Sequence, residues 1–178
     1  IPYCRQACAY CDFYFSTSSR SRAAFLPALL AEIKYQANSW RAWLPAATWY
    51  FGGGTPSRLL FPELESILSA LADAFPLPPS AEITLEANPD DLTPDYLAGL
   101  RALGVNRLSI GVQSFQEDDL RHMRRAHNAP QAAAAVHAAR AAGFDNFSID
   151  LIYAAPWLSN DAWRANLCAA LALAPPHI

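Results

Sequence analysis

The chain has 178 residues, of which 53% are apolar and 16% are charged, and its formal net charge is −3. This apolar fraction can bury a sizeable core, so we expect one folded domain rather than a disordered chain. The slight acidity excludes an overall cationic field for nucleic acid, and no run of 18 apolar residues predicts a membrane-spanning helix. Without an export signal, the sequence indicates a reducing cytoplasm, and a peripheral contact with a membrane stays open.

Three of the four cysteines lie in the opening stretch IPYCRQACAYC. Cys4, Cys8 and Cys11 follow the spacing C-x3-C-x2-C, and three thiols can form at most one disulfide among themselves. A shared metal or cluster is therefore the first hypothesis. The fourth cysteine, Cys168, lies in the apolar run ANLCAALALA and is predicted to be a buried helix residue.

Helix and strand patterns alternate along the rest of the chain. Helices are predicted at roughly 20–40, 61–75, 93–103, 116–142 with a break near Pro130, and 159–174, and strands at 48–54, 81–89, 107–115 and 146–153. Gly104 and Gly143 lie where two of these helices should end. Repeated strand–helix units predict parallel strands with right-handed crossovers, and hence an α/β fold.

In the last three predicted strands, apolar residues alternate with small or polar ones. A sheet with one face in water would produce this pattern. A curved sheet, closed or nearly so around a polar ligand, would produce it as well. The second interpretation places Glu86, Gln113 and Asp150 near the strand ends, where barrel enzymes have their active sites. The alternation alone leaves both interpretations open.

The stretch FGGGTPS places Gly52, Gly53 and Gly54 directly after the strand predicted at 48–54. Residues without a Cβ allow backbone N–H groups to approach an anion or a carboxylate. The stretch matches neither GxxxxGK[ST] nor GxGxxG, so it does not indicate a nucleotide phosphate.

Five motifs occur in a fixed order, namely C-x3-C-x2-C, GGGTPS, LEANPD, SIGVQSF and IDLIY. In this order the chain resembles the radical S-adenosylmethionine (SAM) proteins of the oxygen-independent coproporphyrinogen III oxidase group, and the likeness spans almost the whole chain. The resemblance implies a partial (β/α)6 barrel of TIM-like type, truncated before strand six. On this template residues 1–178 are a radical SAM core domain, cut from a longer chain at both ends.

The resemblance also implies a set of cofactor-binding residues. Cys4, Cys8 and Cys11 would bind three irons of a [4Fe-4S] cluster and leave the fourth iron open to SAM. The aromatic residue near the adenine would be Tyr10. The other positions that match SAM contacts are Gly53, Gly54, Thr55, Glu86, Gln113, Arg125 and Asp150. Arg125 lies in RHMRRAHN, which could equally be a solvated basic helix end.

The residues after Cys11 distinguish two branches of this group. The oxidases have a further cysteine two residues after the third ligand, whereas this chain has Asp12 and Phe13. The difference favours the related heme chaperones, which implies heme or a porphyrin as a further ligand and heme-acceptor proteins as partners. A coproporphyrinogen III oxidase remains one alternative, and a structural zinc or electron-transfer module remains another.

The remaining candidate residues are given structural interpretations. The histidines have no metal-ligand spacing and are interpreted as surface or hydrogen-bonded residues, so none is nominated as a heme ligand. These are His122, His127, His137 and His177. The tryptophans are interpreted as packing residues rather than as a stacking platform for nucleic acid. These are Trp40, Trp43, Trp49, Trp157 and Trp163.

Overall fold

The computed structural model of the protein describes residues 1–18 and 20–178. Its sheet has four strands, β1 (Thr48–Phe51), β2 (Glu82–Ala87), β3 (Arg107–Gln113) and β4 (Phe147–Leu151), in the order β1-β2-β3-β4. Each strand pairs in parallel with the next. The predicted α/β class and parallel sheet are confirmed, and the fold is that of a truncated partial barrel.

Of the two interpretations of the strand alternation, a sheet closed or nearly closed on itself is not found among the described residues, because the four-stranded sheet is open. Neighbouring strands in a sheet are rotated by roughly 20 to 25°. Four strands therefore curve the sheet without bringing β4 back to β1, whereas a complete TIM barrel uses eight.

Six α-helices accompany the strands in the part of the chain that the structure describes. They are α1 (Arg22–Trp40), α2 (Phe61–Ala74), α3 (Pro94–Ala102), α4 (Glu117–His122), α5 (Ala129–Ala141) and α6 (Asn160–Ala172). Gly104 follows α3 with φ of +90° and Gly143 follows α5 with φ of +83°. Glycine adopts this left-handed conformation without a Cβ penalty, which explains why both helices end where the sequence predicts. None of these helices is long and apolar enough to cross a membrane.

The helix predicted over 116–142 is two helices, and the break lies before Pro130 rather than at it. Asn128 caps α5: its side chain accepts a hydrogen bond from Gln131 N, and Gln131 Oε1 accepts one from Asn128 N. Pro130 stands in the first turn, where a missing N–H leaves no helical bond unmade. Residues 123–128 are therefore a connection that can run toward the sheet.

One face of the sheet packs against the helices through side chains that are fully buried. Leu85, Leu108, Ile110 and Ile149 have no exposed surface. On the opposite face, Arg107 donates hydrogen bonds to Thr84 Oγ1 and to Ser148 Oγ, both at 3.4 Å. The polar face therefore carries a hydrogen-bonded network rather than isolated side chains in water.

Three backbone hydrogen bonds extend the sheet at its two edges. Ile1 N donates a hydrogen bond to Gly52 O at 2.7 Å, and Gly54 N donates one to Ile1 O at 2.8 Å. At the other edge, Ile149 N donates a hydrogen bond to His177 O at 3.1 Å. The two hydrogen bonds of Ile1 hold the opening residues, and the cysteines that follow them, beside the glycine loop.

Several side-chain predictions outside the site are wrong. Cys168 is exposed and not buried. The buried residues of α6 are Asn166 and Ala170, which lie on one side of the helix. Cys168 is two residues from each of them, so its side chain points to the opposite side. Trp40 and Trp43 are 54% and 77% exposed. Trp40 is the last residue of α1 and Trp43 lies just after it, and the buried residue of this helix is Ile33, so the C-terminal end of α1 offers them little to pack against. Trp157 is also exposed, but its ring stacks on the ring of His122, in agreement with its interpretation as a packing residue.

Candidate functional site

A cavity opens at the carboxyl ends of the four strands, and every site residue selected from the sequence lines it. These residues are Cys4, Cys8, Tyr10, Cys11, Gly53, Gly54, Thr55, Glu86, Gln113, Arg125 and Asp150. Parallel strands end at the same edge of a sheet, so residues far apart in the sequence meet there. The polar strand face therefore continues into a cavity and not onto a flat solvated surface.

The cysteine loop, residues 4–11, is attached to two other parts of the chain through its backbone. Cys4 N donates a hydrogen bond to Ser16 O at 3.0 Å, and Ala9 N donates one to Met123 O at 3.0 Å. The side chain of Gln6 donates to Arg124 O. The connection between α4 and α5 therefore holds the loop against the cavity.

Arg5 fixes the same loop to the segment after β2. Its guanidinium lies 3.2 Å from an oxygen of Asp90 and 3.0 Å from an oxygen of Asp91. Both carboxylates are nearly buried, and Asp91 also contacts Arg58 at 3.1 Å and accepts a hydrogen bond from Ser57 Oγ at 2.8 Å. Asp90 of the motif LEANPD and Asp91 directly after it thus anchor the cysteine loop through Arg5. Glu86 of the same motif lines the cavity.

The three thiols of the loop are half-buried and unpaired. Among residues 1–18 and 20–178, no three His, Cys, Asp or Glu side chains lie close enough together to hold a single metal ion. A four-iron cluster is larger than an ion and takes one thiolate at each of three irons, so its ligands stand farther apart than those of tetrahedral zinc. The described residues therefore form no preformed mononuclear metal site around the three thiols.

Two hydrogen-bond donors reach the sulfur atoms. Thr55 Oγ1 donates to Cys4 Sγ at 3.2 Å, and Arg125 Nη1 donates to Cys8 Sγ at 3.6 Å. Burial raises the pKa of the Cys4 thiol, while the hydrogen bond from Thr55 acts in the opposite direction. Donors and a positive charge beside thiolates offset negative charge, so this donor set fits an anionic iron–sulfur cluster.

The glycine loop lies so close to the cysteine loop that a side chain there would require its neighbours to move. Gly53 has φ of +116°, a conformation that other residues rarely adopt. A Cβ on Gly54 would lie 3.1 Å from Cys4 Sγ and 3.0 Å from Ile1 O. The consecutive glycines are thus needed for close approach and not merely for a turn.

Glu86 is held by two donors, one of which the sequence did not single out. Tyr50 donates its hydroxyl proton to Glu86 Oε1 at 2.6 Å, and Gly53 N donates to Oε2 at 3.1 Å. Burial, followed by the hydrogen bond to Glu86, raises the pKa of Tyr50 to about 12. The tyrosine therefore remains a donor near neutral pH and fixes the carboxylate at the cavity wall.

Asp150 lies on the neighbouring part of the same wall. Ser109 Oγ lies 3.3 and 3.1 Å from the two oxygens of Asp150 and donates to the carboxylate. Burial is the main cause that raises the pKa of Asp150, and the negative charge of Glu86 adds to it. Both carboxylates can accept hydrogen bonds from hydroxyl or amino groups of a ligand.

Gln113 ends β3 in an unusual backbone conformation. Its φ is +68°, and the pairing of β3 with β4 shifts register between Ile110 and Gln113. Its amide lies over Gly111, where a Cβ would come within 2.9 Å of Gln113 Nε2. Strained residues at strand ends often serve a site, because the surrounding structure must hold them in place.

Arg125 lies inside the cavity and not on a solvated helix end. Its Nη2 donates to Asn88 Oδ1 and to Gly111 O, both at 2.7 Å, and its Nη1 donates to Tyr10 Oη at 3.1 Å. Burial raises the pKa of Tyr10 to about 12, although the charge of Arg125 opposes the shift. Arg125 thus joins the cysteine loop, β3 and the segment after β2.

His127 supports the same connection from the interior. It is buried and its Nε2 lies 3.0 Å from Val112 O. Burial is the main cause that lowers its pKa to about 4, so the ring is neutral near pH 7 and Nε2 carries the proton. The histidine is hydrogen-bonded, as the sequence interpretation allowed.

Three residues of the site were missed from the sequence: Tyr50, Asn88 and Ser109. Asn88 lies within the motif LEANPD, Ser109 lies within SIGVQSF on the alternating polar face, and Tyr50 lies just before the glycine loop. The signal for Tyr50 and Asn88 is their position, one just before the glycine loop and one just after Glu86.

The profile of the Radical SAM superfamily matches residues 1–164. The heme chaperone HemW of Mycobacterium tuberculosis is 38% identical over 183 aligned positions, which cover 100% of this chain and 46% of that protein. The oxygen-independent coproporphyrinogen III oxidase of Bradyrhizobium diazoefficiens is 34% identical over 177 positions, which cover 98% of this chain and 39% of that protein.

A solved structure gives the same fold. Coproporphyrinogen III oxidase (HemN) from Escherichia coli, described as a radical SAM enzyme, superposes with a TM-score of 0.88 at 32% identity. The superposition covers 98% of this chain and 41% of that one. The chain thus spans less than half the length of each of these relatives.

Proposed function

The chain belongs to the Radical SAM superfamily, and on that premise we propose that it binds a [4Fe-4S] cluster and SAM in the cavity and acts as a heme chaperone. The observation that carries the proposal is the convergence of three cysteines with the polar ends of all four strands in one cavity. Neither a structural zinc site nor a simple electron-transfer module requires the glycine loop and the two carboxylates opposite the thiols.

In this proposal Cys4, Cys8 and Cys11 each bind one iron, and the fourth iron stays open to the amino and carboxylate groups of SAM. When bound and reduced, the cluster supplies an electron to SAM. The half-buried thiols are supported by the donors from Thr55 and Arg125, which lower the cost of concentrating negative charge there.

The remaining cavity residues orient SAM. The backbone of Gly53 and Gly54 is open to the methionyl end, because neither residue has a side chain to block it. Glu86 and Asp150 are fixed as acceptors by Tyr50 and Ser109, and they suit hydroxyl groups of the ribose. Tyr10 is held by Arg125 at the edge of the cavity, where its ring can pack against the adenine.

Two observations favour the chaperone over the oxidase. The relative named heme chaperone is 38% identical and the relative named oxidase is 34% identical. In addition, Asp12 and Phe13 occupy the place of the additional oxidase cysteine. Phe13 lines the cavity and is 72% exposed, so it offers an apolar surface to a porphyrin ring.

The second candidate function is that of a coproporphyrinogen III oxidase. The TM-score of 0.88 to an oxidase of this type favours it.

Under the chaperone proposal the protein binds heme and passes it to heme-acceptor proteins. A reducing compartment such as the cytoplasm would keep the three thiols available for iron.

The test compares heme transfer with porphyrin turnover in the anaerobically reconstituted protein, extended by any further segments of its natural chain. We expect heme to be retained and then passed to an apo-acceptor, without conversion of coproporphyrinogen III to protoporphyrinogen IX in the presence of SAM and reductant. The Cys8→Ala variant, which should lack the cluster, serves as the control for turnover. Formation of protoporphyrinogen with release of 5'-deoxyadenosine in proportion would contradict the chaperone proposal and support the oxidase.

A further inference from the structure

A series of hydrogen bonds joins the cavity to the cysteine loop through Asn88, a residue of LEANPD. Arg125 Nη2 donates to Asn88 Oδ1 at 2.7 Å. Asn88 Nδ2 donates to Thr55 Oγ1 at 3.4 Å, and Thr55 Oγ1 donates to Cys4 Sγ at 3.2 Å. Two side chains, Asn88 and Thr55, thus connect a guanidinium group in the cavity to a thiol of the proposed cluster site.

The donor-to-acceptor direction of these hydrogen bonds is determined by the groups at the two ends of the series. A guanidinium group has donors and no acceptor, so the carbonyl of Asn88 must face Arg125. The amide NH2 of Asn88 must then face Thr55, whose oxygen accepts from it. The hydroxyl proton of Thr55 is consequently directed to Cys4 Sγ, where a thiolate accepts it.

Asn88 is itself held in place from its backbone. Asn88 N donates a hydrogen bond to Ser57 Oγ at 3.3 Å, and Ser57 Oγ donates to Asp91 Oδ2 at 2.8 Å. Thr55 is buried and only 3% exposed. Little water therefore reaches the Thr55 hydroxyl to compete for its hydrogen bonds. The neighbouring side chains determine the direction of its proton.

We propose that Asn88 is a positioning residue that couples the SAM cavity to the electronic properties of the cluster through Thr55 and Cys4. The inference rests on the proposed function, because it requires a cluster on the three thiols. Hydrogen bonds to the sulfur atoms stabilise the reduced, more negative state of a cluster more than the oxidised state. Asn88 therefore makes the cluster easier to reduce. A ligand that moves Arg125 changes the same series of hydrogen bonds.

The experiment measures the midpoint reduction potential of the reconstituted cluster in the Asn88→Ala variant without SAM. We expect a normal iron content and a more negative midpoint potential than in the unsubstituted protein. By calorimetry, the Kd for SAM should rise about three- to tenfold, because Arg125 loses one of its anchors but keeps Gly111 O and Tyr10 Oη. Asn88→Leu, which fills more of the space of the amide, is measured in parallel in case the smaller side chain disorders the loop.

Two controls separate this role from a structural one. Asn106 lies at the opposite end of β2 and β3, where its side chain accepts from Ile83 N and donates to Ala81 O. Asn106→Ala should lower the Tm and leave the midpoint potential unchanged. Thr55→Val should shift the potential in the same direction as Asn88→Ala, and the double variant should show no further shift.

The outcomes distinguish this inference from the proposed function. If the unsubstituted protein holds no cluster, the proposed function fails. If it holds one and both Asn88 variants keep the unsubstituted potential, only the role of Asn88 is overturned. Additive shifts in the double variant would also overturn it, since Asn88 would then act by a route other than Thr55. Loss of the cluster in both folded Asn88 variants, with Thr55→Val retaining it, would count against the role as well.

Discussion

Replacing Tyr50 with Phe is expected to weaken SAM binding, because it removes one of the two donors that hold Glu86. The hydroxyl proton of Tyr50 lies in a short hydrogen bond to Glu86 Oε1, with an oxygen–oxygen distance of 2.6 Å. After the substitution only Gly53 N, at 3.1 Å from Oε2, holds the carboxylate. The ring itself is retained, so the packing of β1 should not change.

The size of the effect follows from the exposure of the pair. A hydrogen bond to a charged group contributes about 1.5 to 3 kcal/mol when it is shielded from water. Tyr50 is 57% exposed, so we expect a contribution of about 1 kcal/mol, which corresponds to roughly a fivefold rise in the Kd for SAM. Glu86→Gln removes the charge that meets the ligand and should raise the Kd about ten- to a hundredfold.

The assay is isothermal calorimetry of SAM binding to the cluster-loaded protein in a double-mutant cycle. If Tyr50 acts through Glu86, the Tyr50→Phe and Glu86→Gln double variant should bind SAM about as weakly as Glu86→Gln alone. Tyr96→Phe is the matched control, because Tyr96 donates its hydroxyl proton to Leu59 O outside the cavity. Unchanged SAM binding in Tyr50→Phe, or losses that add in the double variant, would refute the reasoning.

Three further predictions concern the cluster, the second carboxylate and pH. Cys4→Ala should abolish the iron–sulfur absorbance of the reconstituted protein, and Cys168→Ala should leave it intact; the reverse result would show that the ligand assignment is wrong. Asp150→Ala should raise the Kd for SAM about ten- to a hundredfold in calorimetry and leave the iron content unchanged, whereas unchanged binding would place Asp150 outside the SAM contacts. His127 has a pKa of about 4 in the folded protein and an ordinary value near 6.5 when unfolded, so the unfolded chain binds the proton first and the free energy of unfolding falls as the pH drops through this window. The charged neighbours of His127 are Arg125 and Glu117. In urea denaturation at pH 7 and pH 4.5, His127→Gln should reduce the difference in the free energy of unfolding between the two pH values by up to about 3 kcal/mol. An unchanged difference would show that other groups cause the pH dependence.

The sequence predicted the order and approximate bounds of the elements because local signals and packing agree there. Gly104 and Gly143 end their helices by backbone conformation, which depends on the residue alone. The site could be predicted for a similar reason, since residues at the ends of parallel strands meet without knowledge of side-chain packing. Glu86 and Asp150 belong to this class.

The errors concern features that depend on tertiary packing. Whether Cys168 is buried depends on the rotation of α6 about its axis, and the apolar run around it has no clear periodicity to determine that rotation. Tyr50 and Asn88 were missed because their importance comes from partners about 36 residues away in the chain. Hydrogen-bonding partners at such distances appear only when the strands are assembled.

The attachment of the cysteine loop to Met123 has a consequence for the order of events during synthesis. A ribosome makes the three cysteines well before residues 123–125. Ala9 N therefore has no acceptor until Met123 has been added, and the guanidinium group that contacts Cys8 is absent until Arg125 follows. At roughly 5 to 20 residues per second, this interval is on the order of ten seconds. During that time the cysteine loop lacks its contacts with Met123 and Arg125. Iron delivered co-translationally would therefore reach the thiols before the site has formed. We therefore expect productive cluster insertion to follow release of β3 and the connection after α4 from the ribosomal tunnel, and premature oxidation of the nascent thiols to compete with it.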